Sequence, residues 1–149
     1  MSVTQQTQQI LSSFLEHTRK SDVDALNQLA APDATWWFNG AIDKVPIAGK
    51  RKFSERVVEL HHGFFGQMHS MKINVLDTVV QGEIGMAEFE VTAEGPGKHQ
   101  SYANNAVVKL TVKDGKIREV REYVDFFGVL KYLESAKSEP EKETVPLVA

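Results

Sequence analysis

The sequence predicts an α+β domain in which a curved, cone-shaped sheet, antiparallel or mixed, wraps around N-terminal helices. The apolar residues recur with a helical period up to about residue 66 and alternate in twos from there on. Helices therefore come first and adjacent strands come last, which is the element order of α+β folds. A length of 149 residues fits one domain with one core. A sheet curved over helices leaves a cavity between the two layers.

The first half of the chain contains the predicted helices. Apolar residues at helical spacing define the first and third helices, and Ser21 is the predicted N-cap of the second, which Pro32 ends. Gly63 and Gly66 mark the end of the third helix. The predicted elements are a helix at 4–19, a helix after Ser21, an aromatic strand at 34–38, a loop at 39–48 and a helix from about 50 to 64.

The pattern of the second half predicts four strands and a short closing helix. Alternating apolar residues, separated by glycine-containing turns, define the strands. They are predicted at 68–80, 83–93, 99–112 and 116–125. A helix from about Phe127 to Glu134 then completes a single domain over residues 1–134. Residues 135–149 are rich in Glu, Lys and Pro, and we expect a disordered tail there.

A carboxylate on the apolar face of the last hairpin is the main chemical signal. A three-residue loop at 113–115 places Glu122 opposite Ala106, on the same face as Tyr102 and Asn104. A two-residue Asp-Gly loop would shift the register by one and turn Glu122 to the other face. We prefer the first register because it separates apolar from polar residues better.

Burial of Glu122 on this face has two interpretations. Loss of solvent raises the pKa of a carboxyl group toward neutrality, which suits a general acid or base at pH 7. Alternatively, Glu122 lies at the rim and pairs with Arg56 or Arg118, because ion-pair networks also place carboxylates in clefts. The local sequence leaves both interpretations open.

The stretch from Tyr102 to Phe126 resembles the SnoaL-like branch of the nuclear-transport-factor-2-like, or ketosteroid-isomerase-like, superfamily. Within it, the Arg-Glu-aromatic pattern of the last strand resembles the phenazine-biosynthesis A/B-type proteins. The resemblance implies a cone fold of the ketosteroid isomerase type, a homodimer, a proton-handling acid at Glu122 and a pocket tyrosine at Tyr102. The third helix carries Arg56 where the phenazine proteins present a pocket histidine.

Other residues are candidates for the pocket wall. Asn104 would support Tyr102, and Arg56 or His61 would orient an acidic group of the substrate. Aromatic and sulfur side chains would line the cavity or pack in the core, and these are Trp37, Phe64 and Met68. No metal site is predicted, since His61 and His62 point about 100° apart on a helix and lack a third ligand at the right spacing.

Composition narrows the function classes further. A net charge of −3 gives no basic surface for nucleic acid, and no apolar run is long enough to span a membrane. The absence of cysteine removes thiol chemistry, and without a basic N-terminal region we expect a cytoplasmic protein. We expect a small-molecule pocket protein, an isomerase, cyclase or condensing enzyme that uses acid/base chemistry without a cofactor. The alternative is a non-catalytic ligand-binding or dimerisation module of the same fold.

Overall fold

The structure, a computed structural model, describes the backbone of residues 1–144 and the side chains of residues 1–135. Four α-helices and one 3-10 turn are present over this range: α1 (Val3–Arg19), α2 (Val23–Leu29), α3 (Phe53–Gly63), the turn Phe65–Gln67 and α4 (Phe126–Thr144). Six strands make one sheet: β1 (Ala30–Phe38), β2 (Gly49–Lys52), β3 (His69–Gln81), β4 (Ile84–Glu94), β5 (Ser101–Lys113) and β6 (Lys116–Val124).

The sheet is mixed, and its strands follow the order β2-β1-β6-β5-β4-β3. Only the β1–β6 pair is parallel, and the other neighbours are antiparallel. Irregularities interrupt the pairing between β1 and β6, between β3 and β4, and between β5 and β6, and such bulges bend a sheet. The predicted α+β fold with a curved sheet over N-terminal helices is confirmed.

The core lies between the concave face of the sheet and the helices. A capping box between Ser2 and Gln5 starts α1, which buries Leu11 and Phe14. Trp36 from β1 occupies the centre, with its ring 5.1 Å from that of Phe14 and 5.3 Å from that of Phe53. Three rings packed in this way fix the distance between the helical layer and the sheet, which sets the width of any cavity between them.

The second helix begins one residue later than predicted. Its N-cap is Asp22, whose side chain accepts a hydrogen bond from Ala25 N–H, and not Ser21. Ser21 follows the C-terminal cap of α1 in the left-handed region, at φ 54°. A helix N-cap needs an extended backbone, which Ser21 does not have, so Ser21 cannot start α2.

The first two strands differ from the prediction. β1 starts at Ala30, not after Pro32, and the proline lies where the β1–β6 register shifts, so its missing N–H interrupts no regular ladder. Residues 50–52, which are basic and were predicted to start the third helix, instead form the edge strand β2 together with Gly49. A short edge strand rich in Lys and Arg resists pairing with other chains.

The last hairpin has a different turn from the one predicted. Asp114 and Gly115 alone form the loop, both with positive φ. A bulge after Thr111 shifts the register once more, so that Glu122 pairs with Val108 and not with Ala106. Because the total displacement is two residues, Glu122 still faces the concave side. The predicted face is therefore correct, whereas the predicted pairing is wrong.

The closing helix is longer than predicted. α4 runs to Thr144, beyond the expected end at Glu134, so that residues up to 144 of the supposed disordered tail are helical. Residues 145–149 of that tail lie outside the described part of the chain. Tyr132 is buried, whereas Phe127, Leu130 and Leu133 on the same helix are exposed. One face of α4 therefore packs on the domain and the other faces solvent. No helix within the described residues has the length and apolar character needed to cross a membrane.

Candidate active site

A mostly apolar cavity lies between the concave sheet and the helices. It measures about 580 Å³ between its lining atoms, including its open mouth, but only about 30 Å³ admits the centre of a water-sized sphere, enough for about two waters. The lining comes from α1, α3, α4 and every strand except β2. Its polar side chains are Thr18, Tyr102, Asn104 and Glu122.

Glu122 enters this cavity from the centre of the sheet and is only 8% exposed. Burial raises the pKa of the Glu122 carboxyl group from 4.5 to about 7, and the nearby Trp36 indole and Arg56 guanidinium oppose part of that increase. The two arginines considered as partners from the sequence pair elsewhere, Arg56 with Glu59 and Arg118 with Asp33. Glu122 is thus a desolvated carboxyl group without an ion-pair partner among the described side chains.

Arg56 lies behind Glu122 and is completely buried. Its guanidinium donates to Glu59 at 2.7 Å and to the Gly49 carbonyl at 2.7 Å, and stacks 4.9 Å from the Phe38 ring centre. These contacts tie α3 to β1 and β2 and leave no exposed surface for a substrate. Arg56 is not among the residues that line the cavity, so it acts on Glu122 only through its charge.

The indole of Trp36 lowers the pKa of Glu122 more than Arg56 does. Trp36 Nε1 is buried without a hydrogen-bond partner of normal geometry, yet it lies close enough to lower the pKa of Glu122. We interpret the contact as a long polar approach and not as a formed hydrogen bond. Leaving a carboxylate with so little direct solvation keeps its protonated form favoured.

Asn39 fixes the end of the strand that carries Glu122. Its side chain donates to the Val124 carbonyl at 3.2 Å and accepts from Val124 N–H at 3.0 Å. Its backbone N–H also donates to the Glu122 carbonyl at 3.3 Å. This role of Asn39 was not predicted from the sequence, although an Asn directly after an aromatic strand is the kind of side chain that can bond to backbone groups there.

Tyr102 and Asn104 stand side by side on β5 and are 5% and 8% exposed. Asn104 Nδ2 donates to the Tyr102 hydroxyl at 2.8 Å. Burial raises the pKa of Tyr102 far above its ordinary value, and the charges of Glu122 and Asp125 add to the increase. Tyr102 therefore stays protonated throughout the physiological pH range.

An aromatic cluster narrows the cavity near Tyr102. The ring of Phe64 meets that of Tyr102 edge-on at 5.1 Å and that of Tyr132 at 5.4 Å. Tyr132 belongs to α4, which also contributes Val129 to the lining. Phe64 follows the end of α3 in an irregular backbone conformation. A larger ligand must therefore displace Phe64, α4 or both.

The structure brings together Glu122, Tyr102, Asn104 and Phe64, but separates Trp37 from them. Trp37 lies on the convex face of the sheet, where Arg121 stacks 3.8 Å from its ring centre. Side chains alternate along a strand, so β1 sends Trp36 and Phe38 inward and Trp37 outward. The prediction that Trp37 lines the pocket is wrong, and Phe38 lines it instead.

His61 and Met68 also lie outside the cavity lining. His61 Nδ1 is 2.5 Å from Ser21 Oγ, an interaction that ties α3 to the turn between α1 and α2. Met68 is half-buried in a shallow surface depression that also includes His61. Neither residue, nor Arg56, reaches the space beside Glu122, which corrects the expectation that they contact a ligand there. Among the described residues, no three His, Cys, Asp or Glu side chains are grouped in a way that would hold a metal ion.

The fold and the cavity define a class of protein, cone-shaped α+β domains with an internal pocket. The model of the SnoaL-like domain family matches residues 11–120 of the chain. The protein therefore belongs to the SnoaL-like family, as the resemblance of its last strands indicated. None of the curated protein sequences matches the chain significantly.

Solved structures with the same fold agree with this membership. A candidate SnoaL-like polyketide cyclase from Jannaschia sp. CCS1 superposes with a TM-score of 0.73 at 14% identity, over 91% of this chain and 96% of that one. A nuclear-transport-factor-2-like protein from Burkholderia xenovorans LB400 gives 0.66 at 23% identity, over 87% and 96%. A protein of ketosteroid isomerase-like fold from Catenulispora acidiphila gives 0.67 at 15%, over 83% and 90%. At these identities the likeness concerns the fold.

Proposed function

We propose that the protein is a cofactor-independent acid/base enzyme that moves a proton on a small ketone, as an isomerase, cyclase or condensing enzyme does. The observation that carries the proposal is Glu122, a desolvated carboxyl group with a pKa of about 7 in an apolar cavity. A group with this pKa is present in both protonation states near pH 7, so it can take a proton and return it.

Tyr102 would act beside Glu122 as a hydrogen-bond donor. Its raised pKa keeps the hydroxyl protonated, and its oxygen already accepts from Asn104. A phenol held in this way can donate to a carbonyl oxygen and stabilise the enolate that forms when a neighbouring carbon loses its proton. Asn104 supports the phenol in this proposal and does not contact the substrate.

The proposed reaction begins when the Glu122 carboxylate removes a proton from a carbon next to the substrate carbonyl. The C–H electron pair becomes the enolate double bond, and charge develops on the oxygen that Tyr102 faces. In an isomerisation, the carboxylic acid then returns the proton to a different carbon. In an aldol-type cyclisation, the enolate carbon attacks a second carbonyl of the same molecule, and the acid protonates the new alkoxide.

The cavity favours a neutral substrate over an acidic one. Its described lining contains no Lys, Arg or His, and Glu122 would repel a second carboxylate. The basic residues considered for an acidic group, Arg56 and His61, are engaged elsewhere. Charge burial without a partner is costly, so we propose a small, mostly apolar ketone without an ionised group.

The second candidate is a non-catalytic ligand-binding module, and the narrow cavity favours it. Phe64 packs edge-on against Tyr102 and leaves space for about two waters. In that case Glu122 would orient a ligand by a hydrogen bond and would not transfer its proton.

Deuterium uptake in D₂O separates the two candidates. The wild type is incubated with a panel of neutral cyclic ketones and 1,3-diketones, and incorporation at the carbon next to the carbonyl is followed by ¹H NMR. We expect Glu122→Gln to abolish enzyme-dependent uptake and Tyr102→Phe to reduce it by about a hundredfold. Glu119→Gln, on the convex face, is the matched control. Uptake that survives in Glu122→Gln contradicts the proposal, and ketones that bind without uptake favour the binding module.

We also propose that two copies associate through the convex face of the sheet. Apolar side chains, exposed or half-buried, occupy this face amid charges: Trp37, Val79, Ile84, Met86, Val107 and Tyr123. Basic Lys109 and Arg121 pair across neighbouring strands, and acidic Asp77 pairs with Glu88 further along. A two-fold arrangement can therefore place the acidic part of one copy against the basic part of the other.

A further inference from the structure

Asn104 connects Tyr102 to the start of α4. Its Nδ2 donates to the Tyr102 hydroxyl at 2.8 Å and to the Asp125 carbonyl at 2.9 Å. Its Oδ1 accepts from Asp125 N–H at 3.2 Å and from Asn105 N–H at 2.8 Å. A side-chain amide has two N–H donors and two acceptor lone pairs, so the capacity of Asn104 is fully used.

The backbone partners fix the orientation of this amide. A carbonyl can only accept and a backbone N–H can only donate, so Asp125 and Asn105 decide which end of the amide is oxygen. The NH₂ end must therefore face Tyr102, and the phenol oxygen must accept. The Tyr102 hydroxyl proton is not used in this bond and is available to donate to another acceptor. Among the described residues the structure gives Tyr102 no other hydrogen-bond partner.

Asp125 is also the residue from which α4 begins. Its side chain accepts from Phe127 N–H at 3.0 Å, and its carbonyl accepts from Gly128 N–H at 3.1 Å. Gly128 brings the helix close to Asn104, since a Cβ there would lie 3.1 Å from Asn104 Nδ2 and from the Ala103 carbonyl. The first turn of α4 thus rests on the Asn104 amide.

The same helix closes the cavity. Val129 lines it, and the Tyr132 ring lies 5.7 Å from the Tyr102 ring. A ligand larger than about two waters requires the lining to open, and movement of α4 away from β5 would break both hydrogen bonds between Asn104 and Asp125. The amide would then keep only the bond from Asn105 N–H to its oxygen, so its NH₂ end would be held less firmly against the Tyr102 oxygen.

We infer that Asn104 is a positioning residue that links docking of α4 to the orientation of the Tyr102 hydroxyl, so that the cavity closes and its donor is aligned in one event. This inference rests on the role proposed for Tyr102. Its physical content is nevertheless independent of any substrate, because coupling is reciprocal: if docking of α4 orients the hydroxyl, removal of the hydroxyl must loosen α4.

Amide hydrogen exchange of residues 129–132 tests the link without a ligand. We expect Tyr102→Phe to accelerate this exchange roughly three- to tenfold, the range that loss of one hydrogen bond produces. In an Asn104→Ala background, Tyr102→Phe should add nothing, because the connection is already broken. Tyr123→Phe, on the convex face, is the matched control. An unchanged rate in Tyr102→Phe, or an equal acceleration in both backgrounds, overturns the inference.

A second variant covers the case in which Asn104→Ala does not fold. Gly128→Ala keeps every polar group but pushes the helix away from the Asn104 amide. The ¹³Cζ chemical shift of labelled Tyr102 should therefore change. Val129→Ala changes the same helix without touching Asn104 and should move it much less. Equal shifts in the two variants also overturn the inference. Failure of the deuterium-uptake experiment would leave both of these results intact, so the two proposals fail separately.

Discussion

At the scale of single residues, the site depends on one carboxyl group and on the exclusion of water and of paired cations from it. Glu122 has apolar neighbours on the concave face, and the nearest cation, Arg56, is held by Glu59 and a backbone carbonyl. Desolvation raises the pKa of Glu122 more than the Trp36 indole and the charge of Arg56 together lower it. The balance leaves a group that titrates near neutrality, and it predicts a measurable pH dependence of folding.

The stability of the protein should fall as pH rises through the pKa of Glu122. This pKa rises from 4.5 to about 7 on folding, so between those values the folded state holds more protons than the unfolded state. Stability from this group is therefore fully present below about 4.5 and is lost above about 7. We expect a loss of about 3 kcal/mol of unfolding free energy from this group, measured by urea denaturation between pH 4 and 8.

The matched variant for this measurement is Glu122→Gln, which has no charge to bury. It should remove most of the pH-dependent loss and be more stable than the wild type at pH 8. A ¹³C titration of the Glu122 carboxyl carbon gives the folded pKa directly. A value at or below 4.5, the pKa of this group without burial, would contradict the account and favour an exposed or ion-paired carboxylate.

At the same scale, the sequence predicts the positions of the Glu122 carboxylate and the Tyr102 phenol better than those of the side chains around them. Glu122 and Tyr102 are adjacent to alternating apolar residues, and that alternation alone identifies their face. Trp37 was misplaced because three successive aromatic residues on β1 contain no such alternation. Arg56 was taken for a ligand-binding cation because one of its partners, the Gly49 carbonyl, belongs to the unpredicted strand β2. Its other partner, Glu59, lies three residues later on the same predicted helix.

At the scale of elements, the β5–β6 hairpin delivers Glu122 by way of two irregular features. The two-residue loop alone would turn Glu122 to the convex face, and the bulge after Thr111 reverses that change. The predicted face is correct because the choice between two loops was made by how well each register separates apolar from polar residues. Hydrophobic alternation therefore predicts which face a strand buries, while bulges prevent it from predicting which residues pair.

The loop itself offers a stability test. Gly115 has φ +76°, which disfavours any side chain, and Asp114 also has positive φ. We expect Gly115→Ala to reduce the unfolding free energy by about 1 kcal/mol, because alanine is strained in this conformation. The measurement is chemical denaturation with circular dichroism.

Gly63 provides the control for that variant. It is the last residue of α3, its φ is not positive, and a Cβ there would meet nothing within 4 Å. Gly63→Ala should therefore leave the unfolding free energy unchanged or increase it by up to about 1 kcal/mol, because alanine reduces the conformational entropy of the unfolded chain. Equal destabilisation by the two substitutions would mean that turn conformation is not what makes Gly115 important.

At the scale of the whole molecule, the two faces of the sheet differ in composition and in proposed role. The concave face is almost entirely apolar and encloses the cavity, whereas the convex face mixes apolar and charged side chains. On this outer surface Arg121 stacks on Trp37, and the ring of Tyr123 meets that of Trp37 edge-on at 5.2 Å. A partly apolar sheet face is suited to contact with a second copy of the chain.

The proposed association predicts that a charge placed in the middle of the convex face separates the copies. Val107 pairs with Glu88 on one side and with Tyr123 on the other, so Val107→Glu adds a like charge next to Glu88 and a desolvated carboxylate in each copy. We expect light scattering during size-exclusion chromatography to show dimers of the wild type and monomers of Val107→Glu.

The control is Val58→Glu, which changes an exposed valine on α3. A monomeric wild type, or dimers of Val107→Glu as stable as those of the control, would place the contact elsewhere or remove it. Because the concave cavity is built within one copy, Val107→Glu should also retain the raised pKa of Glu122.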